Sequence, residues 1–146
     1  MDKPLLHLFI HIGKLLNDSF REKLNERGIH FGQARILMVL SKHEHLSQVE
    51  IGRGLHIKPA TVSNLINKME KSELIKRIPD KNDNRIMLAE LTLEGKAASK
   101  FAESVFIQVE SQVRSSISPE HFDLLRKPLE NIRNTFDESY LKNLNI

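Results

Sequence analysis

The feature that most constrains this chain is the stretch from residue 47 to 91, where strong stop and start signals divide the hydrophobic pattern into short elements. Ser47 with Glu50 three positions on has the form of a capping box, in which each side chain accepts from the other residue's backbone N–H. It predicts a helix of about two turns ending at Leu55. After the turn Leu55-His56-Ile57, Pro59 suits the first position of a new helix, because its φ is already helical and its missing N–H is not needed there. This second helix, over about 58–71, carries Val62, Leu65, Ile66 and Met69 on one face; Thr61, Ser63, Asn64, Asn67 and Lys68 fall largely elsewhere. Residues 74–78 and 86–91 read as strands. The run Pro79-Asp80-Lys81-Asn82-Asp83-Asn84-Arg85 between them is all turn formers and charges.

The flanks are helical. Leu5, Leu8, Phe9, Ile12, Leu15, Leu16, Phe20 and Leu24 recur at three- and four-residue steps, and Gly28 follows as a stop. A short, mostly apolar helix is expected over 32–42. Thr92 caps a long helix to about 116, with Phe101, Val105, Val109 and Val113 at four-residue spacing. Ser118-Pro119-Glu120 opens another, striped by Phe122, Leu125, Leu129, Ile132, Phe136 and Tyr140. Pro128 lies inside that stripe and should kink or split the helix, since it removes a backbone bond and crowds the carbonyl of Leu124. Gly52 and Gly54 each cost a helix about 1 kcal/mol relative to Ala, so packing must hold the helix that contains them. The expected fold is mostly α with a small β-hairpin wing (α+β): a winged helix-turn-helix over 32–91, inside a single domain spanning 1–146. The terminal stripes, in 3–28 and 92–144, exceed what one small core covers and point to a homodimer.

The chain of 146 residues is 40% hydrophobic and 28% charged, enough for one compact core. It has no cysteine, which excludes disulfides and thiol chemistry. No apolar run is long enough to span a membrane, and the N-terminal MDKPLLHLFIHIGKLL lacks a small-residue cleavage site, so a cytoplasmic protein with no membrane partner is expected. Net charge is only +3, but it is not evenly spread. From Arg53 to Arg85, Arg53, Lys58, Lys68, Lys71, Lys76, Arg77, Lys81 and Arg85 face only Glu70, Glu73, Asp80 and Asp83. A local basic zone suits contact with a phosphate backbone, whose condensed counterions Lys and Arg displace.

In a helix-turn-helix the second helix enters the major groove, where short polar side chains reach base edges and phosphates. Double-stranded DNA is therefore the expected partner, with Lys58, Pro59, Thr61, Ser63, Asn64, Asn67 and Lys68 as candidate contacts from the helix. Arg77, Lys81, Asn82, Asn84 and Arg85 are candidates from the wing, taken as 76–87.

Asp83-Asn84-Arg85, followed by Leu91-Thr92 and then Gly95, resembles the wing motif of the MarR family of small dimeric regulators. Gln33, Ser47-Gln48 with Glu50 and Ile51, Thr61-Val62-Ser63 and Leu74-Ile75 extend the resemblance over nearly the whole chain. It implies a homodimeric regulator, most simply a repressor, on an imperfectly palindromic operator. It also implies that Arg85 enters the minor groove while Asp83 shapes the wing, a salt bridge within the hairpin being the alternative for both. Members of the family often respond to small aromatic compounds, in a crevice whose edge here would hold His7, His11 and Phe31; core packing explains those residues equally well. No cofactor and no metal are called for. An alternative within the same fold is a metal-responsive regulator using His43, His45, His7 and His11, although residues 93–116 contain no His to complete a cluster. A small enzyme is the remaining alternative, but no nucleophile elbow, phosphate loop or HExxH is present.

Overall fold

In the computed structural model, residues 4–143 are described, with side chains through residue 137. The side chain of Tyr140 and residues 1–3 and 144–146 thus lie outside the described part. The elements are α1 (Leu5–Asn25), α2 (Phe31–Ser41), β1 (Leu46–Ser47), α3 (Gln48–Leu55), α4 (Pro59–Lys71), β2 (Ile75–Pro79), β3 (Met87–Leu91), α5 (Leu93–Ser115) and α6 (Pro119–Asn143). The chain forms two compact units, Met1–Val109 and Glu110–Ile146, with the boundary inside α5.

In the first unit the core is built from Leu24 of α1, Ile36 and Leu37 of α2, Ile51 of α3, Val62, Ile66 and Met69 of α4, Ile75 of β2 and Val105 of α5, all but sealed from solvent. The stripe expected for α4 turns inward here; α5 contributes Phe101 and Val105 of its stripe, and α1 only its last turns, Phe20 and Leu24, while Leu5, Leu8, Phe9, Ile12 and Leu15 stay exposed. Gly28 takes a left-handed φ of +65°, and Ile29 N–H reaches back to Leu24 O at 3.2 Å, closing α1 where the sequence placed its stop. Gly52 has its packing reason: a Cβ there would stand 3.1 Å from Ile57 O and 3.4 Å from Val62 Cγ2, so α3 needs Gly52 to approach the turn and α4 this closely. A Cβ on Gly54 would meet nothing within 4 Å.

The sheet corrects the expectation of a bare hairpin. It has three antiparallel strands in the order β1-β3-β2, and β1 is a two-residue strand in what looked like a loop, pairing Leu46 with Ala89 and Ser47 with Leu88. So short a strand leaves no alternation to read, and its partner lies far along the sequence. β2 and β3 pair from Ile75↔Leu91 to Pro79↔Met87.

The second unit holds the end of α5 and α6. Ser118 Oγ accepts from His121 N–H at 3.3 Å, so Ser118 and Pro119 start α6 as a cap-and-proline pair. The guanidinium of Arg114 sits 3.9 Å above the ring of Phe122 and pairs with Glu110 at 2.9 Å. Of the two outcomes expected at Pro128, a kink or a split, the split does not occur: α6 runs on through it. Both Pro128 and Leu124 are exposed, so the Leu124 carbonyl left without its N–H partner can be hydrated. The helix loses one bond and keeps the turns on either side.

Candidate nucleic-acid interface

The helix-turn-helix is α3, the turn at residues 56–58, and α4. The capping box at the start of α3 is complete: Ser47 Oγ accepts from Glu50 N–H at 3.2 Å and Glu50 Oε2 accepts from Ser47 N–H at 2.7 Å. Those bonds to Ser47 hold the Glu50 carboxyl below the usual carboxylate range. At the other end of α3, Arg35 Nη2 donates to Leu55 O at 2.6 Å, placing a cation at the negative pole of the helix. Its partial burial lowers the Arg35 pKa. His56 then takes a left-handed φ of 54° and turns the chain toward α4.

Lys58 occupies the N-cap of α4, and its side chain makes no capping bond. Pro59 follows at the first position, so the helix start rests on backbone geometry rather than a side-chain acceptor. Val62, Ile66 and Met69 are buried, while Lys58, Pro59, Thr61, Asn64, Asn67 and Lys68 are exposed and Ser63 is half-buried. At 3.6 residues per turn, residues 60, 64, 67 and 71 form the middle of the outward face; Thr61 and Lys68 flank it on one side, Ser63 and Glu70 on the other. This face is short-chained and amide-bearing, suited to base edges.

The wing tip is preorganised by two aspartates. Asp80 Oδ1 accepts from the N–H groups of Asn82 at 2.7 Å and Asp83 at 3.3 Å. Asp83 Oδ1 accepts from both Arg85 N–H, at 3.1 Å, and Arg85 Nε, at 3.0 Å, while Oδ2 accepts from Arg85 Nη2 at 3.2 Å. Those Arg85 donors hold the Asp83 carboxyl below the ordinary aspartate range. The Arg85 side chain is nonetheless 90% exposed, and Lys81, Asn82 and Asn84 are exposed with it. Of the remaining cations, Lys76 pairs with Glu90 on β3 at 3.4 Å. Arg77 behaves differently. It shares the inward side of β2 with Ile75, is 25% exposed, and reaches α4 through Glu70, at 3.4 Å, and Asn67.

The junction after the wing explains the spacing of Leu91-Thr92 and Gly95. Thr92 N–H donates to Leu74 O at 3.1 Å and its hydroxyl to Glu73 O at 2.6 Å, while the same oxygen accepts from Gly95 N–H at 3.0 Å. A Cβ on Gly95 would lie 1.9 Å from Leu74 O, so only glycine fits.

The three crevice candidates do not come together within the chain. Phe31 is packed into an aromatic cluster with Phe20 and Phe106, at centroid distances of 5.0 and 5.9 Å. His7 and His11 are exposed on α1. His11 lies nine residues before Phe20, about 13 Å along the helix axis. Phe106 falls outside the stripe read for α5 and Arg35 carried no periodic signal, so sequence reasoning missed both. A surface groove of about 790 Å³ lies elsewhere, lined in part by Arg27, His30, Lys68, Lys71, Leu74 and Glu94. Among the described residues, no group of three or more His, Asp or Glu side chains could hold a metal, and no helix is long and apolar enough to cross a membrane.

Comparison with known proteins agrees with this architecture. Residues 31–87 match the model of the MarR family. The HTH-type transcriptional repressor YetL of Bacillus subtilis is 30% identical over 135 residues, covering 88% of this chain and 80% of that one. The HTH-type transcriptional repressor Rv2887 of Mycobacterium tuberculosis is 24% identical over 131 residues, covering 90% and 94%. Among solved structures, S. aureus MepR in its DNA complex superposes with a TM-score of 0.86 at 26% identity, over 92% of this chain and 99% of that one. A mutant of E. coli MarR complexed with operator DNA has the same fold, with a TM-score of 0.81 at 18% identity over 88% and 93%. With its helix-turn-helix, its Asp-x-Arg wing and its glycine-gated junction all in place, the chain belongs to the MarR family of transcriptional regulators, which are DNA-binding proteins and not enzymes.

Proposed function

We propose that this regulator acts in the cytoplasm as a homodimeric repressor on an imperfectly palindromic operator, with α4 in the major groove and the β2–β3 wing in the minor groove. The observation that carries the reading is the pairing of two unlike surfaces in one unit. α4 presents Thr61, Asn64, Asn67 and Lys68 outward, and the wing holds up Arg85, 90% exposed on a carboxylate-braced loop. Amides and hydroxyls suit base edges in a wide groove, whereas a lone arginine suits the negative potential of a narrow one. A second copy is called for by the apolar side chains left on both terminal helices: Leu5, Leu8, Ile12 and Leu15 on α1, and Leu125, Leu129, Ile132 and Phe136 on α6, each more than 40% exposed. Two-fold symmetry would bring the recognition helices to successive major grooves about 34 Å apart.

A small anionic effector fits the groove beside α4, where Arg27, Lys68 and Lys71 outnumber Glu94. One structural relative, Bordetella bronchiseptica BpsR, is described as regulated in DNA binding by 6-hydroxynicotinic acid. Such a ligand releases DNA only by binding the DNA-incompetent arrangement more tightly.

The test is selection of bound duplexes from a random pool, together with light scattering of the free protein. The reading expects a dimer and a palindrome with half-sites about one helical turn apart. A monomer would overturn the dimeric assignment, and retention of DNA without sequence enrichment would overturn the sequence-specific one.

A further inference from the structure

We infer that Arg77 is a positioning residue that fixes the recognition helix against the wing and sets how Asn67 hydrogen-bonds, rather than a contact to the DNA backbone. The inference deepens the proposed function and rests on its placement of α4 in the major groove.

Arg77 sits in the basic zone, and by sequence alone it is one more phosphate-binding cation. Its surroundings say otherwise. Nε is sealed from solvent, makes no hydrogen bond, and lies 3.4 Å from Glu70 Oε2. Nη2 donates to Asn67 Oδ1. Asn67 and Glu70 are one helical turn apart on α4, so a single planar guanidinium on β2 bridges two successive positions of the neighbouring helix. By contrast Arg85, on the same hairpin, leaves its side chain 90% exposed. A phosphate drawing the guanidinium outward would compete with both partners and weaken the counterion that Glu70 has in Arg77.

The bond to Asn67 has a consequence for readout. Arginine carries only donors, so the atom facing it must be the Asn67 carbonyl oxygen. Bidentate pairing of Asn with adenine needs that oxygen as an acceptor and the NH₂ as a donor. With one lone pair of Oδ1 engaged by Arg77, the amide is held with its oxygen toward the wing and its NH₂ free to donate to an acceptor on a base edge or to a phosphate, and the bidentate approach to adenine is disfavoured. Asn64, one turn earlier on the same outward face, has no such bond to Arg77 and keeps both functions available to a base.

The experiment compares the full-length protein with Arg77→Met and Arg77→Lys on the duplex selected by the wild type. Affinity is measured across a salt series, and the random-pool selection is repeated with each variant. Positioning predicts that both variants bind about tenfold more weakly, because lysine cannot bridge Asn67 and Glu70 as the guanidinium fork does. The slope of log affinity on log salt should match the wild type for Arg77→Met. Its selected motif should gain a preference for adenine at one position per half-site, as the Asn67 amide is released to turn both its oxygen and its NH₂ to the base. A backbone contact predicts the reverse: a slope reduced by about one per protomer in Arg77→Met, recovery in Arg77→Lys, and an unchanged motif. Unaltered affinity in Arg77→Met would also overturn the inference. If the wild type itself selects no duplex, the proposed function falls and this inference with it; failure confined to the variants' predictions would sink only the role of Arg77.

Discussion

Replacing Gly95 by Ala tests the junction between wing and α5 with a single methyl group. The added Cβ would stand 1.9 Å from Leu74 O, 3.0 Å from the Leu74 carbonyl carbon and 3.2 Å from Leu91 Cδ2. The first two are backbone atoms, so no side-chain rotation relieves the contact, and the start of α5 must move from β2 by more than 1 Å to restore ordinary van der Waals distance. Overpacking of this kind costs about 1–3 kcal/mol. The same displacement breaks the bonds from Thr92 N–H to Leu74 O and from the Thr92 hydroxyl to Glu73 O, at about 1 kcal/mol each. Against this, Ala gains about 1 kcal/mol over Gly in a helix. The net is a loss of about 2–4 kcal/mol, or a fall in melting temperature of roughly 5–15 °C for a chain of this size. Gly54→Ala is the control: its methyl meets nothing within 4 Å, so the same chemical change should raise stability by up to about 1 kcal/mol. Urea denaturation and calorimetry of the two variants against the wild type measure both signs. If Gly95→Ala melts within a degree of the wild type, the steric account of this junction is wrong.

Other consequences are as direct. Arg85→Ala should weaken operator binding by about 1–3 kcal/mol while the dimer persists by light scattering; equal affinity at physiological salt would remove Arg85 from the interface. In that variant the Asp83 carboxyl, now held low by Arg85, should titrate closer to an ordinary aspartate by NMR. Because its folded pKa is depressed, the Asp83 contribution to wing order is present above the ordinary aspartate pKa and lost as pH falls through the lower, folded value. Ser47→Ala removes the acceptor for Glu50 N–H and should cost about 1 kcal/mol in chemical denaturation. Glu73 follows α4 with a left-handed φ of 58°, so Glu73→Gly should stabilise by about 0.5–1 kcal/mol; a destabilised variant would show that its side chain matters more than its backbone.

Much of the fold was legible because its boundaries are set by local chemistry. Ser47 with Glu50, and Thr92, mark element ends through bonds that span three residues, Pro59 through its fixed ring and Gly28 through its left-handed φ, and each does so in the structure. What escaped the sequence depends on distant partners. β1 exists only because β3 supplies its ladder. Arg77 looked like its neighbours Lys76 and Lys81 because charge alone carries no orientation, yet a signal was there. It alternates with Ile75, and on a strand that two-residue period puts both on the inward side. Phe31 sits apart from His7 and His11 within one chain because its aromatic partners, Phe20 and Phe106, come from α1 and α5.

Ser47 is at once the last residue of β1, paired with Leu88, and the cap of α3. Local opening therefore cannot fray the start of the helix-turn-helix without also peeling the outer strand from the wing, and the two should behave as one cooperative unit. In native-state hydrogen exchange, the Glu50 amide at the start of α3 should share its opening free energy with the outer-strand amides paired to β3. Residues that meet opposite grooves would then lose order together or not at all, with the two-residue strand as the hinge pin between them.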